Sequence, residues 1–225
     1  MPTSSTINEL YAKIATCGNR CAGVENKPEV GIIGRSFYCP FDPSGISLLM
    51  VSKNPGISDP RENALYAPLD GLGRVAAHEE FVRARFLRTN TIITSQYHAN
   101  ILAWVSVILG VEATHDAVFA KAAKTALVKC HSAGNKTAQL PEITKDFCAG
   151  TFLCREIEAI QPKYLLALGG EAYAYLVEPA VRERHGLPVG KLHHPSWTNM
   201  RGGVDSYVAE ALPKLRAEYL RAIDT

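Results

Sequence analysis

The chain has 225 residues, 47% of them hydrophobic, and a formal net charge of +2. That length and composition suit one domain around one core. The near balance of charge excludes a protein that grips nucleic acid through overall basicity, so any DNA contact must come from local clusters.

Residues 1–8 are polar and lack a signal-peptide core, and no apolar run reaches membrane-spanning length. A cytoplasmic, intracellular protein without membrane association is therefore expected. The first pattern is amphipathic: Ile7, Leu10, Tyr11 and Ile14 recur at helical spacing, followed by Cys17-Gly18-Asn19-Arg20-Cys21. Leu48-Leu49-Met50-Val51 then runs into Ser52-Lys53-Asn54-Pro55-Gly56-Ile57-Ser58, which predicts a buried strand stopping at a tight turn. Pro55 fixes one backbone angle there and Gly56 supplies another, so the Asn54 amide is held in place.

Arg83, Arg85 and Arg88 form one basic cluster; Lys121, Lys124, Lys129 and Lys136 form a looser one. Each reads as a DNA contact or as a solvated helix face. Residues 99–109 predict an apolar helix ended by Gly110, and residues 124–129 a second strand. A helix is expected from about Pro141 to Ala159, with Phe147, Phe152, Leu153, Ile157 and Ile160 on its apolar face and Gln161-Pro162 as its stop. Tyr164-Leu165-Leu166-Ala167-Leu168 is apolar on both faces, as in a covered parallel sheet. Gly169-Gly170 turns the chain into a helix starting at Glu171, a turn that suits either a phosphate or close helix–strand packing. The alternation predicts an α/β fold: one domain with a central, mostly parallel sheet flanked by helices. Near the end, His193-His194-Pro195-Ser196-Trp197-Thr198-Asn199 supplies an imidazole in a loop.

The six cysteines point to metal before disulfide in an intracellular chain. Cys17 and Cys21 form one pair, Cys130 follows Ala126-Leu127-Val128, and Cys148 lies one helix start further on. Four thiolates select zinc or an iron–sulfur cluster, although a C-x3-C pair alone describes two small buried residues equally well. Cys154 has helical spacing to Phe147 and Leu153 and is expected to be buried; Cys39, between Tyr38 and Pro40, is a candidate substitute ligand.

Several of these elements occur in a telling order: Cys17/Cys21, Asn54-Pro55-Gly56, Leu127-Val128-Lys129-Cys130, Gly134-Asn135, Cys148, Pro162-Lys163-Tyr164-Leu165-Leu166-Ala167-Leu168-Gly169 and His194-Pro195-Ser196. With them the chain resembles the uracil-DNA glycosylase superfamily over nearly its whole length, in particular the iron–sulfur (type 4) branch. The resemblance implies a single domain over residues 1–225, with the N-terminal helix and cysteine pair (about 1–40) joined to it by a 4Fe–4S cluster on Cys17, Cys21, Cys130 and Cys148, zinc being the alternative. It implies Asn54 as the residue aiming the attacking water and His194 as the donor to the departing base, with Ser52, Lys53, Pro55, Gly56 and Ser196 around the substrate. Tyr66 is placed to stack on a flipped base or simply to pack, and Trp197, Met200 and Arg201 to enter the DNA.

The chain departs from the family in three places. Its first cysteines have three residues between them rather than two, and its catalytic loop carries Asn before Pro-Gly, as in the mismatch-specific and single-strand-selective branches. Where an Asn that pairs with the uracil edge would stand, it has Leu127, with Ala126 before it, and neither side chain hydrogen-bonds. His98 and Asn100 are candidates for the missing contacts.

The expected function is a DNA base-excision glycosylase acting on uracil or another deaminated base after base flipping, in single- or double-stranded DNA, as a monomer. The chemistry suits the residues: Asn54 offers a donor and an acceptor to a water, and His194 an aimed donor for developing charge. The alternative is a non-catalytic DNA- or damage-binding protein of the same fold and cluster, which Ala126 favours. A nucleophilic hydrolase using Cys130-His131 or Ser52 lacks the Gly-x-Ser-x-Gly elbow and an acid partner.

Overall fold

A computed structural model of the chain describes residues 4–40, 42–87, 96–134, 139–196 and 203–224. In chain order the elements are α1 (Ser4–Ala15), β1 (Val24–Glu25), β2 (Leu48–Ser52), α2 (Pro60–Tyr66), α3 (Gly71–Leu87), α4 (Gln96–Leu109), α5 (His115–Phe119), β3 (Ala122–Ala126), β4 (His131–Ser132), α6 (Glu142–Cys148), α7 (Cys154–Ile160), β5 (Tyr164–Leu168), α8 (Gly170–Leu176), α9 (Pro179–His185), β6 (Val189–Leu192) and α10 (Gly203–Ile223). Two compact units share the chain, one of residues 1–44, 52–82 and 124–160, the other of residues 45–51, 83–123 and 161–225.

The second unit carries the sheet, in the order β3-β2-β5-β6, with Ser52 and residues 124–126 at the strand ends counted in the first unit. Neighbours that are not consecutive in sequence require crossovers, the mark of the parallel α/β sheet expected from the sequence. β5 and β6 pair in parallel, Leu165 opposite Val189 and Leu168 opposite Leu192. Every residue of β2 and β5 is buried, as continuous apolar runs require, whereas β6 alternates as an edge strand does. Gly190 on β6 leaves room for the Tyr164 hydroxyl, which a methyl group would strike. That hydroxyl donates to Glu218 Oε2 at 3.1 Å on α10.

In the first unit, α1 buries Ile7, Leu10, Tyr11 and Ile14, the face its spacing predicts. Asp59 caps α2 by accepting from the Arg61 backbone N–H, with Pro60 in the first turn. The helix expected near residues 141–159 is α6, a π-helical turn (Ala149–Leu153) directly after Cys148, and α7.

The looser lysine cluster is divided: Lys121 is exposed, Lys124 half-buried and Lys129 buried. Lys129 is 1% exposed and ion-paired with Glu156, and burial pushes the Lys124 amine down to about 8, helped by the charges of Lys129 and Arg35. Arg83 is exposed, 4.0 Å from Asp116, and Arg85 is half-buried; Arg88 and Lys136 lie outside the described residues. Cys154 is half-buried, not buried. Among the described residues no helix is long and apolar enough to cross a membrane.

Candidate active site

Two loops follow the carboxyl ends of strands, where α/β folds place reactive groups. The first leaves β2. Ser52 Oγ donates to the Thr125 carbonyl at 3.1 Å, Leu127 N–H donates to the Ser52 carbonyl at 2.9 Å, and Val128 N–H to the Lys53 carbonyl at 3.1 Å. Ser52 and Lys53 thus fix the start of the loop through their backbones. The Asn54 amide then donates from Nδ2 to the Cys130 carbonyl at 3.3 Å and to Ser132 Oγ at 3.0 Å. A carbonyl only accepts, so Nδ2 has to face Cys130, and Oδ1 remains as the acceptor of the amide. Pro55 is half-buried, and exposed Gly56 gives its carbonyl to Arg35 Nη2.

Arg35 is a loop support that sequence reading missed. It is 7% exposed, donates its backbone N–H to the Lys129 carbonyl at 2.8 Å, and sets Nε 3.3 Å from Glu62 Oε1. No local pattern marks such an arginine; its partners lie far away in the sequence.

Tyr66 does not present a ring to a base. It is fully buried, its hydroxyl donates to Glu62 Oε1 at 3.2 Å, and it lies 3.1 Å from His78 Nδ1. Tyr66 sits one helical turn after Glu62 on α2, so both side chains turn inward together. Its role is to hold the carboxylate that holds Arg35.

Burial, with the charges of Arg35 and Lys124, pushes the His78 imidazole down from 6.5 to about 3. The unfolded chain protonates this ring below 6.5 while the folded chain stays neutral, so stability should fall as pH drops from 6.5 towards 3. Glu79 works oppositely: burial raises its carboxyl from 4.5 to about 7, and its contribution is lost as pH rises through that range. The histidine effect should therefore appear cleanly below pH 4.5. Urea midpoints there are expected to drop for the parent chain and to drop less for His78→Gln; equal drops would show that this imidazole is not the acid-sensitive group.

The four expected ligand cysteines gather in the first unit. β1 pairs antiparallel with β4, setting Val24 opposite Ser132 and Glu25 opposite His131. Ala133 N–H donates to the Gly23 carbonyl at 2.9 Å, and Thr144 Oγ1 on α6 to the Ala22 carbonyl at 2.8 Å. The stretch after Cys21 is thereby tied to the residues after Cys130 and to the helix that ends in Cys148. Burial, then the charges of Cys148, Cys17 and Cys21, push the Cys130 thiol up to about 12. Burial pushes Cys148 up to about 11, opposed by Lys129, whose backbone N–H donates to Cys148 Sγ at 3.3 Å.

Cys39 belongs elsewhere. Its backbone N–H donates to the Tyr11 hydroxyl at 2.8 Å, which donates to its carbonyl at 3.3 Å. Burial raises its thiol to about 12, and the charges acting on it are those of Glu156 and Glu79. It is not placed as a substitute ligand. Among the described residues no group of three His, Cys, Asp or Glu side chains is arranged to hold a single metal ion.

The second loop leaves β6, in the second unit. Ser196 N–H donates to His194 Nδ1 at 3.3 Å, so a neutral ring carries its proton on Nε2 and is a donor there. The ring lies 5.5 Å from that of Tyr97. A side chain on Gly169 would meet His194 Cβ at 3.5 Å, and Gly169 has φ of 109°, a conformation side chains rarely adopt.

Asn100 Nδ2 donates to the Pro195 carbonyl at 2.6 Å and its Oδ1 accepts from Gln96 at 2.7 Å, so this amide braces the loop. The His98 ring meets Phe86 edge-on at 4.6 Å. The His193 backbone N–H donates to the Tyr207 hydroxyl at 2.8 Å, and Ser196 is exposed. Trp197, Met200 and Arg201 lie outside the described residues.

The family model of the uracil DNA glycosylase superfamily matches residues 40–216. The chain belongs to that superfamily. The match takes in Asn54, His194, Cys130 and Cys148 and leaves Cys17 and Cys21 outside. No curated protein matches the chain. Membership in the uracil DNA glycosylase superfamily points to DNA as the partner and to base release as the chemistry. It does not choose the base. Ala126 and Leu127, where a base-reading side chain was expected, are both fully buried.

Proposed function

We propose that the protein is a DNA glycosylase that hydrolyses the N-glycosidic bond of uracil or another deaminated base held outside the stack. The observation that carries this reading, beside the family match, is the orientation of the Asn54 amide, bound through Nδ2 with Oδ1 as its acceptor. Oδ1 takes a hydrogen of a water and aims its lone pair at the sugar carbon. As the carbon–nitrogen bond breaks, its electron pair leaves with the base, and His194 Nε2–H donates to a base carbonyl where the charge collects. The water adds to the sugar and its proton passes to base or solvent.

Cys17, Cys21, Cys130 and Cys148 would hold a 4Fe–4S cluster, with zinc as the alternative, because soft thiolates are the donors that both select. When bound, it supplies a cross-link among the segments carrying Cys17, Cys21, Cys130 and Cys148.

The test is base release from oligonucleotides carrying uracil, hypoxanthine, xanthine or a mismatch, single- and double-stranded, read as alkali-sensitive breaks. Breaks lost in Asn54→Ala are expected, with iron and inorganic sulfide in protein purified without oxygen. Breaks unchanged in that variant would overturn the site, and zinc in place of iron the cluster. The absence of breaks with DNA still bound would favour a non-catalytic binding protein, the reading that buried Ala126 supports.

A further inference from the structure

We propose that Ser132 is a positioning residue for Asn54, and that through Ser132 and the Cys130 carbonyl the cysteine-bearing segment sets how the reacting amide points. The proposal rests on the glycosylase reading for the role of Asn54, and on geometry for the coupling.

The Asn54 amide has two hydrogens on Nδ2 and two acceptors for them, both on the segment that carries Cys130. The bond to Ser132 is the shorter, at 3.0 Å against 3.3 Å. An amide torsion is broad and roughly two-fold, so a single long bond does not fix it; the hydroxyl makes the second point that defines a plane. Ser132 is itself fixed. It is 5% exposed, and its place on β4 is set by pairing with Val24, three residues after Cys21.

A second strut lands on the same segment. Arg35 holds the Gly56 carbonyl with its guanidinium and the Lys129 carbonyl with its backbone N–H. Both ends of the Asn54-Pro55-Gly56 turn therefore hang on residues 129–132, with Cys130 among them. On the cluster reading, a group bound to the four thiols would stiffen the frame against which the amide is aimed and so would act on the reaction centre as well as stapling the fold.

The experiment uses the full chain purified without oxygen, with Ser132→Ala and Ser132→Thr beside the parent. Iron content, kcat and KM for base release, and hydrogen–deuterium exchange of the peptide over residues 52–58 are measured for each. Ser132→Ala is expected to keep its iron, lose roughly tenfold to a hundredfold in kcat with KM within about twofold, and exchange faster over residues 52–58. Ser132→Thr, which keeps the hydroxyl, should recover most of the rate. Removing iron from the parent chain with a chelator should raise exchange over the same peptide.

Parent-like kcat and exchange in Ser132→Ala would overturn the positioning role. Unchanged exchange over residues 52–58 after chelation would overturn the coupling, and this arm decides even if Ser132→Ala fails to hold iron. A parent chain that releases no base defeats the glycosylase reading alone, because the exchange measurements still report whether the loop follows the thiol site.

Discussion

Lys129→Met should destabilise the protein by about 3–5 kcal/mol, as expected when one member of a buried ion pair is removed. Lys129 and Glu156 have side chains 1% and 0% exposed. The ammonium lies 2.7 Å from Glu156 Oε1 and donates to Glu156 Oε2 at 2.8 Å, to Thr125 Oγ1 at 2.5 Å and to the Ala126 carbonyl at 2.7 Å. Without it the carboxylate keeps, among the described residues, the Thr125 hydroxyl at 2.7 Å, with Glu156 itself fully buried. The cost arises from the charge left behind rather than from the worth of the pair. The double variant Lys129→Met, Glu156→Leu should therefore recover much of the loss. Urea denaturation of the parent, both single variants and the double variant completes the cycle. A loss under about 1 kcal/mol in Lys129→Met, the range of exposed pairs, would show that water reaches this site.

His194→Ala should lower kcat for base release by about 10²–10³-fold, the range for removing one aimed donor from a site of developing charge. The Nδ1 bond from Ser196 already directs the Nε2 proton outward, so His194→Gln, which keeps an N–H donor, should retain more rate than alanine. Asn54→Ala should fall into a similar range with KM little changed, because the amide acts on the water and not on the bound base. The two losses should not add fully, since aiming water at a base that cannot depart gains nothing. Release at the parent rate in the double variant would remove both residues from the mechanism.

The sequence showed most where burial alone writes the pattern. β2 and β5 are covered on both faces, so Leu48-Leu49-Met50-Val51 and Tyr164-Leu165-Leu166-Ala167-Leu168 appear as unbroken apolar runs bounded by turn residues. The strand expected at residues 124–129 is Ala122–Ala126 instead. Ala122 and Ala123 have little strand preference, and the bulkier Leu127-Val128 drew the reading forward. The helix expected at 99–109 starts earlier, at Gln96, because its first turn is polar. The π-helical turn after Cys148 has no periodic signature, and two-residue β1 and β4 are too short to have one.

The site divides in the same way. Asn54 and the cysteines stand out through turn chemistry and residue type, which are local. Arg35, Ser132 and Asn100 act on partners 21, 78 and 95 residues away, where no window reaches. Lys129 passed for a surface charge because Glu156 lies 27 residues further on; Tyr66, left as a stacking or a packing ring, packs, with Glu62 one helical turn before it and His78 12 residues after it.

The first unit is stitched from residues 1–44, 52–82 and 124–160, and this has a consequence during synthesis. Cys17 and Cys21 leave the ribosome roughly 130 residues before Cys148, an interval of about 6–25 seconds at ordinary elongation rates. Throughout it, the early thiols have neither the β1–β4 pairing nor α6 to shield them from oxidants. On the proposed four-thiol ligation, assembly of the cluster would have to wait for the last cysteine, which would tie it to the speed of translation and to the redox state of the cell during that wait.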